Sequence, residues 1–286
     1  MDSAMTALKL LPPGLRSAVE SDIYSAEELR LRSGKEIGIV KNGIEESRGK
    51  KVSPEDIAYV LERASGASLH SVEDEIRNGF IGIEGGIRLG ICGRAVMKSA
   101  KLSGLREISS LNIRIPHEIT GCGKEIYERI YREGLCDVLI VSPPGTGKTS
   151  LLREYIRRLT LSGVRVSVAD ERGEICGAFH GQAQFSFGST VDIITGAPKS
   201  EAAAMMIRAM NPQLLAVDEI AAYEDVQAIA EAAYCGVHIL AACHGASVSD
   251  IRTRPVFAEL TALGIFRYAV LIGLNGTERR YSLEEL

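Results

Sequence analysis

Tryptophan is absent from this 286-residue sequence, and aromatic residues make up only 5% of it. Such a composition supplies poorly any protein that stacks exposed bases on aromatic platforms. No basic excess compensates: the formal net charge is −4, which argues against coating nucleic acid or an anionic membrane through bulk charge. Cysteine is sparse and scattered. Cys92, Cys122, Cys136, Cys176, Cys235 and Cys243 form no C-x-x-C pair. Their spacing fits neither a zinc site nor a disulfide framework, and points instead to small buried thiols in a reducing compartment. No basic start followed by an apolar run marks a signal peptide. Apolar runs such as those at 138–141 and 269–272 are far too short to span a bilayer. The expectation is a cytoplasmic chain with no transmembrane segment of its own, attached to a membrane only through a partner.

What is present is the balance of a globular protein, 45% hydrophobic and 24% charged, long enough for one large domain or two ordinary ones. Two textures divide it. Over 1–119, short alternating or apolar stretches at 29–32, 37–40, 87–96 and 111–115 read as strands. Pro54–Ala64 reads as a helix, with Ser53 as N-cap, Pro54 in the first turn, Asp56 at capping-box spacing, and Ile57, Val60 and Leu61 on one face. Gly79, Gly82, Gly85 and Gly86 punctuate a hairpin.

From residue 120 the rhythm is regular. Helices at 124–133, 148–161, 200–210, 225–234 and 256–263 alternate with apolar strands at 137–141, 165–169, 214–217, 238–242 and 268–272. That pattern predicts an α/β core over 120–286 with a mostly parallel sheet covered on both faces, preceded by a smaller α+β domain over 1–119. Ligands of such sheets sit beyond the carboxyl ends of the strands.

The chemistry-bearing motifs all fall at those ends. Ser142-Pro143-Pro144-Gly145-Thr146-Gly147-Lys148-Thr149 stands between an apolar strand and a helix. Backbone amides must curl around a phosphate, so the residues nearest it must be small, and the helix adds its unsatisfied amides and positive dipole end. Lys148 places a charge against the β- and γ-phosphates, and the Thr149 hydroxyl, with Ser150 beside it, completes the magnesium end of the loop. One departure is visible: the usual pattern opens on Gly, and here the position is Ser142. The segment is a P-loop, and ATP with Mg2+ is its expected cargo.

Leu214-Leu215-Ala216-Val217-Asp218-Glu219 is an apolar strand that ends in two acids, an arrangement costly without a cation to meet them. Asp218 is expected to hold magnesium and Glu219 to orient the attacking water. Asp170-Glu171-Arg172-Gly173-Glu174 follows a neighbouring strand; Glu171 or Asp170 can join the water network, or the cluster can be a solvated turn. A third strand ends in His244-Gly245, placing an imidazole to sense the γ-phosphate, whereas His238 opens the strand at its far end and reads as structural. Arg208 can face the nucleotide or solvent. Arg88, Arg94, Arg106 and Arg114 are the arginines of the first domain that can assist phosphoryl transfer, and the sequence does not choose between them.

Taken together, SPPGTGKT, ADERGEI, GAPKSEAAAMMIRAMNPQLLAVDEI and HILAACHG, preceded by LRLRSGK and SSLNIRIPHE, resemble the stage III sporulation protein AA family. That family is related to the motor ATPases of type II and type IV secretion and of pili, and the resemblance spans about 29–271. It implies a RecA-like core behind an N-terminal domain, hexameric rings, an acidic box at 170–174 and a histidine box at 238–244. It also implies service to membrane-embedded sporulation proteins that form the channel between mother cell and forespore. Two features depart from the secretion relatives: Ile220-Ala221-Ala222 follows Glu219 where an arginine is usual, and no tetracysteine module is present. An ATP-dependent nucleic-acid protein is the alternative enzyme reading, disfavoured by acidic balance and missing aromatics. A non-hydrolysing switch is disfavoured by the intact Lys148, Thr149, Asp218 and Glu219.

Overall fold

Alternation of buried and half-buried residues marks the strands at Glu28–Arg32 and Phe80–Ile83 and the start of Ile87–Lys98. The computed structural model describes residues 2–66, 76, 79–98, 101–276 and 278–286. These fall into two units, Met1–His117 and Glu118–Leu286. In the first, β1 (Glu28–Arg32), β2 (Glu36–Lys41), β3 (Ile44–Lys51), β4 (Phe80–Ile83), β5 (Ile87–Lys98) and β6 (Lys101–Arg114) form an antiparallel sheet ordered β3-β2-β1-β6-β5-β4. Leu29, Leu31, Ile37, Ile39, Leu89 and Ile113 point to one buried face, as a period of two requires. Helices Ser3–Leu10, Pro13–Val19 and Pro54–Ala64 cover that face through Leu8, Leu15, Ile57 and Val60. Asn42 and Gly43, both at positive φ (50° and 74°), make the tight turn between β2 and β3. The capping box expected of the third helix is formed: Ser53 Oγ accepts from the Asp56 amide at 3.2 Å, and Asp56 Oδ2 accepts from the Ser53 amide at 2.8 Å.

The second unit is built on seven strands: β7 (Val138–Ser142), β8 (Val166–Asp170), β9 (Val191–Thr195), β10 (Leu214–Val217), β11 (His238–His244), β12 (Tyr268–Asn275) and β13 (Glu278–Glu285). Their order is β13-β12-β7-β11-β10-β8-β9, parallel throughout except for the β12–β13 hairpin. Both faces are apolar. Val138, Ile140, Val166, Val168, Leu214 and Leu240 pack on the side of helix Lys148–Leu161. Leu139, Val141, Leu215, Val217 and Ile239 pack on the side of helices Lys199–Met210, Tyr223–Tyr234 and Pro255–Ala262. Burial on both sides is why the strands read as unbroken apolar runs. No helix among the described residues is long and apolar enough to cross a membrane.

The core differs from its sequence reading at several places, an added short helix at Val248–Arg252 among them. Helix 124–133 ends as an α-helix at Ile130 and tightens into a 3-10 turn, Tyr131–Glu133. Val191–Thr195 adds a parallel edge strand in a stretch read as loop. The final strand runs on to Asn275, and the chain folds back beside it as β13. Both missed strands lie at sheet edges, where one-sided exposure leaves too little apolar signal to read.

Candidate active site

Because β7, β11, β10 and β8 run parallel and adjacent, their carboxyl ends lie along one edge. Each delivers a polar group there. The loop after β7 turns through Gly145 and Gly147, at φ 77° and 102°, conformations that L side chains rarely adopt. Ser142 has no such need. It is the last residue of β7, fully buried and in register with His244, so a side chain is accommodated where the motif usually has glycine. Gly147 caps the 14-residue helix Lys148–Leu161, whose first amides face the loop.

Lys148 is 9% exposed. Its Nζ lies 3.8 Å from Glu219 Oε2 and 3.4 Å from His244 Nε2, and Glu219 Oε1 lies 3.5 Å from the same imidazole nitrogen. Burial pulls the Lys148 ammonium below its ordinary range, with Glu219 acting against that shift. The other ring nitrogen of His244 is 3.4 Å from the Ser142 carbonyl, the start of the phosphate loop. A cation, a carboxylate and an imidazole from three parallel strands thus meet at a single point. Gly245 follows because a Cβ there would press on Val141 and Ile251.

Asp218 stands beside Glu219, its Oδ1 accepting the Glu219 amide at 2.7 Å. Burial raises its pKa, and the Lys199 ammonium opposes the rise. Lys199 Nζ is 3.7 Å from Asp218 Oδ1, 3.5 Å from Glu171 Oε2 and 3.7 Å from Asp225 Oδ2. The acidic cluster therefore divides. Glu171 joins Asp218 through Lys199. Asp170 is fully buried and occupied by backbone, accepting from the amides of Glu174 (2.8 Å), Ile175 (3.1 Å) and Cys176 (2.8 Å). Its part in a water network, one of the two open readings, gives way to an anchor that shapes the turn. Arg172 is exposed, and so is Arg208 on its helix. His238 lies at the far end of β11, its Nδ1 3.1 Å from Asp137 Oδ2. In the first unit, Arg88 lies over the Phe80 ring, Arg94 pairs with Glu107 at 3.2 Å, and Arg114 lies 3.6 Å from Glu28; Arg106 sits opposite Arg94 in the β5–β6 ladder.

Three residues without a motif also enter. Arg153 stacks on Phe185 at 3.9 Å and donates to the carbonyls of Glu174 and Ile175, tying the acidic turn to the phosphate-loop helix. Arg279 on β13 donates from Nε to the Thr146 carbonyl at 2.8 Å, and a Cβ on Gly147 would strike it. Lys199 is the third, and it had one legible sign: a cation at the first position of a helix opposes the dipole unless acids surround it. A cavity of about 500 Å3 between β9 and helix Lys199–Met210 is lined by Ile193, Met206 and Met210, with Asp192 its one charged residue; it holds no cationic group suited to a phosphate.

The donor set suits magnesium. Asp218 and the Thr149 hydroxyl offer hard oxygen donors, and magnesium is commonly held by one or two carboxylates together with substrate phosphates.

The fold defines a class: a RecA-like P-loop core, shared with solved ATPases that include a pilus retraction motor. The pilus retraction motor PilT with bound ADP superposes with a TM-score of 0.66 at 17% identity, over 95% of this chain and 82% of that one. The Legionella pneumophila ATPase DotB gives 0.61 at 15% identity, over 95% and 79%. At such identities the likeness is one of fold. A family model described as sporulation stage III, protein AA matches residues 4–281. Stage III sporulation protein AA of Bacillus subtilis (strain 168) is 34% identical over 262 residues, 88% of this chain and 85% of its own length. The chain belongs to the stage III sporulation protein AA family.

Proposed function

We propose that the chain binds magnesium–ATP at 142–150, hydrolyses it, and uses the turnover as a motor. The observation that carries this reading is the Lys148–Glu219–His244 triangle, closed within 3.8 Å at the foot of the phosphate loop. In it Lys148 holds the β- and γ-phosphates, and the amides of Gly145, Thr146 and Gly147 cradle them. Thr149 and Asp218 hold the magnesium, which when bound with nucleotide neutralises charge on the transferred phosphoryl group. Glu219 orients the water and draws on its proton, which is why it must face the γ-phosphate and not the metal. His244 spans Glu219 and the Ser142 carbonyl, so a change at the γ-phosphate is felt by the loop that grips it. Glu171 supports this network from the neighbouring strand.

Motor activity is supported by the shared fold with a pilus retraction motor and by membership of a sporulation family. By the same reading the chain assembles as a homo-oligomeric ring, hexameric by analogy, and serves membrane-embedded proteins of the channel between mother cell and forespore.

The direct test is ATP titration of Lys148→Ala alongside the wild type. Binding should be lost or severely weakened, and near-native affinity contradicts the loop assignment. Ring assembly predicts that activity per chain rises with protein concentration; full activity in a demonstrated monomer removes it.

A further inference from the structure

Lys199 is a largely buried charge that the reaction above leaves unused. It opens helix Lys199–Met210 just after Pro198, where the helix dipole disfavours a cation. Its side chain is 13% exposed, so its ammonium is largely removed from water as well. What offsets both costs is position. The ammonium lies nearly equidistant from three carboxylates, Glu171 at 3.5 Å, Asp218 at 3.7 Å and Asp225 at 3.7 Å, drawn from the ends of β8 and β10 and the start of helix Tyr223–Tyr234. None of these distances is that of a tight, exclusive hydrogen bond; the charge is shared.

The three acids differ in freedom. Asp225 is fixed, accepting from the amides of Ala221 (2.9 Å) and Ala222 (3.1 Å) at the entry to its helix. Asp218 is oriented by the Glu219 amide. The loop before Lys199 is fastened to the acidic turn, the Gly196 amide donating to the Glu171 carbonyl at 3.1 Å. Glu171, its side chain 43% exposed, and the lysine, on its flexible four-carbon stem, are the members able to move.

We propose that Lys199 is a resident counter-cation for the magnesium carboxylate: it neutralises Asp218 before nucleotide arrives, suppresses binding of free divalent metal, and shifts toward Glu171 and Asp225 when magnesium–ATP enters. Lys199 is thus a positioning residue, acting through Asp218. The inference rests on the assignment of Asp218 to magnesium. Its consequence is that the site takes metal together with phosphate, because only the triphosphate supplies enough added attraction to displace the lysine from Asp218.

The test is the binding of Mn2+ alone, without nucleotide, by electron paramagnetic resonance or calorimetry. Lys199→Met should bind Mn2+ about tenfold or more tightly than the wild type, since a positive charge within 4 Å of the ligand has been removed. Lys199→Arg, which keeps the charge, should behave as wild type, and Lys199→Met combined with Asp218→Asn should lose the gained affinity. Where Lys199→Met fails to show a cooperative melt, Lys199→Gln carries the same comparison. In turnover, the magnesium concentration for half-maximal rate should fall in Lys199→Met while Lys199→Arg restores it. A folded charge-removing variant whose Mn2+ affinity is unchanged or weaker overturns the proposal. An inactive wild type would instead count against the ATPase reading and leave the Mn2+ result to decide this one.

Discussion

Two neighbouring strands end alike, β8 in Val168-Ala169-Asp170-Glu171 and β10 in Ala216-Val217-Asp218-Glu219, and their aspartates have opposite occupations. After β8 the chain turns back at once through Gly173, at φ 68°, and lays three amides on Asp170. After β10 it leads away: the Ile220 amide is tied to the Ala242 carbonyl at 2.9 Å, and Asp218 has the amide of its own successor and a share of Lys199. An acid at the tip of an apolar strand is thus an anchor or a ligand according to the loop behind it. The glutamates follow suit, Glu219 reaching Lys148 and His244, Glu171 reaching Lys199.

The comparison can be broken most visibly at the glutamates. Glu219→Gln should still bind ATP yet hydrolyse it about 10²-fold more slowly or worse, the usual loss when a group that positions and deprotonates water is removed. Glu171→Gln should cost clearly less in the same assay; if the two effects are reversed, the water belongs to the acidic turn. The aspartates separate on stability. Asp170→Ala leaves buried amides without their acceptor and should lower unfolding free energy by about 3 kcal/mol in a denaturant titration. Asp218→Asn should stay within about 1 kcal/mol of wild type while losing magnesium-dependent turnover. The smallest effect is expected at the loop's first position. Ser142→Gly should leave ATP affinity unchanged and destabilise by roughly 0.5–1 kcal/mol, because that strand residue needs no glycine conformation and gains only unfolded-state freedom.

Much of this is legible in the sequence alone. The phosphate loop, Asp218-Glu219 and His244 each terminate a doubly buried strand, and a parallel sheet necessarily brings such ends to one edge. Burial of β7, β10 and β11 on both faces makes that signal loud. What the sequence hid was pairing. Gly173, three residues after Asp170 and without a counterpart after Asp218, is the one local sign of the turn that claims Asp170, and Lys199 comes from a helix almost thirty residues beyond Glu171. β9 and β13 escaped for a different reason. Edge strands are half exposed, and Glu278–Glu285 carries charge at most positions, so Arg279 could not be seen to reach Thr146.

The central claim is that three strand ends serve one triphosphate. A structure of Glu219→Gln with magnesium–ATP tests it most directly. The account predicts the γ-phosphate at Lys148 with His244 alongside, and the metal on Thr149 and Asp218. A nucleotide bound with Lys148, Asp218 and His244 directed to different places would contradict it.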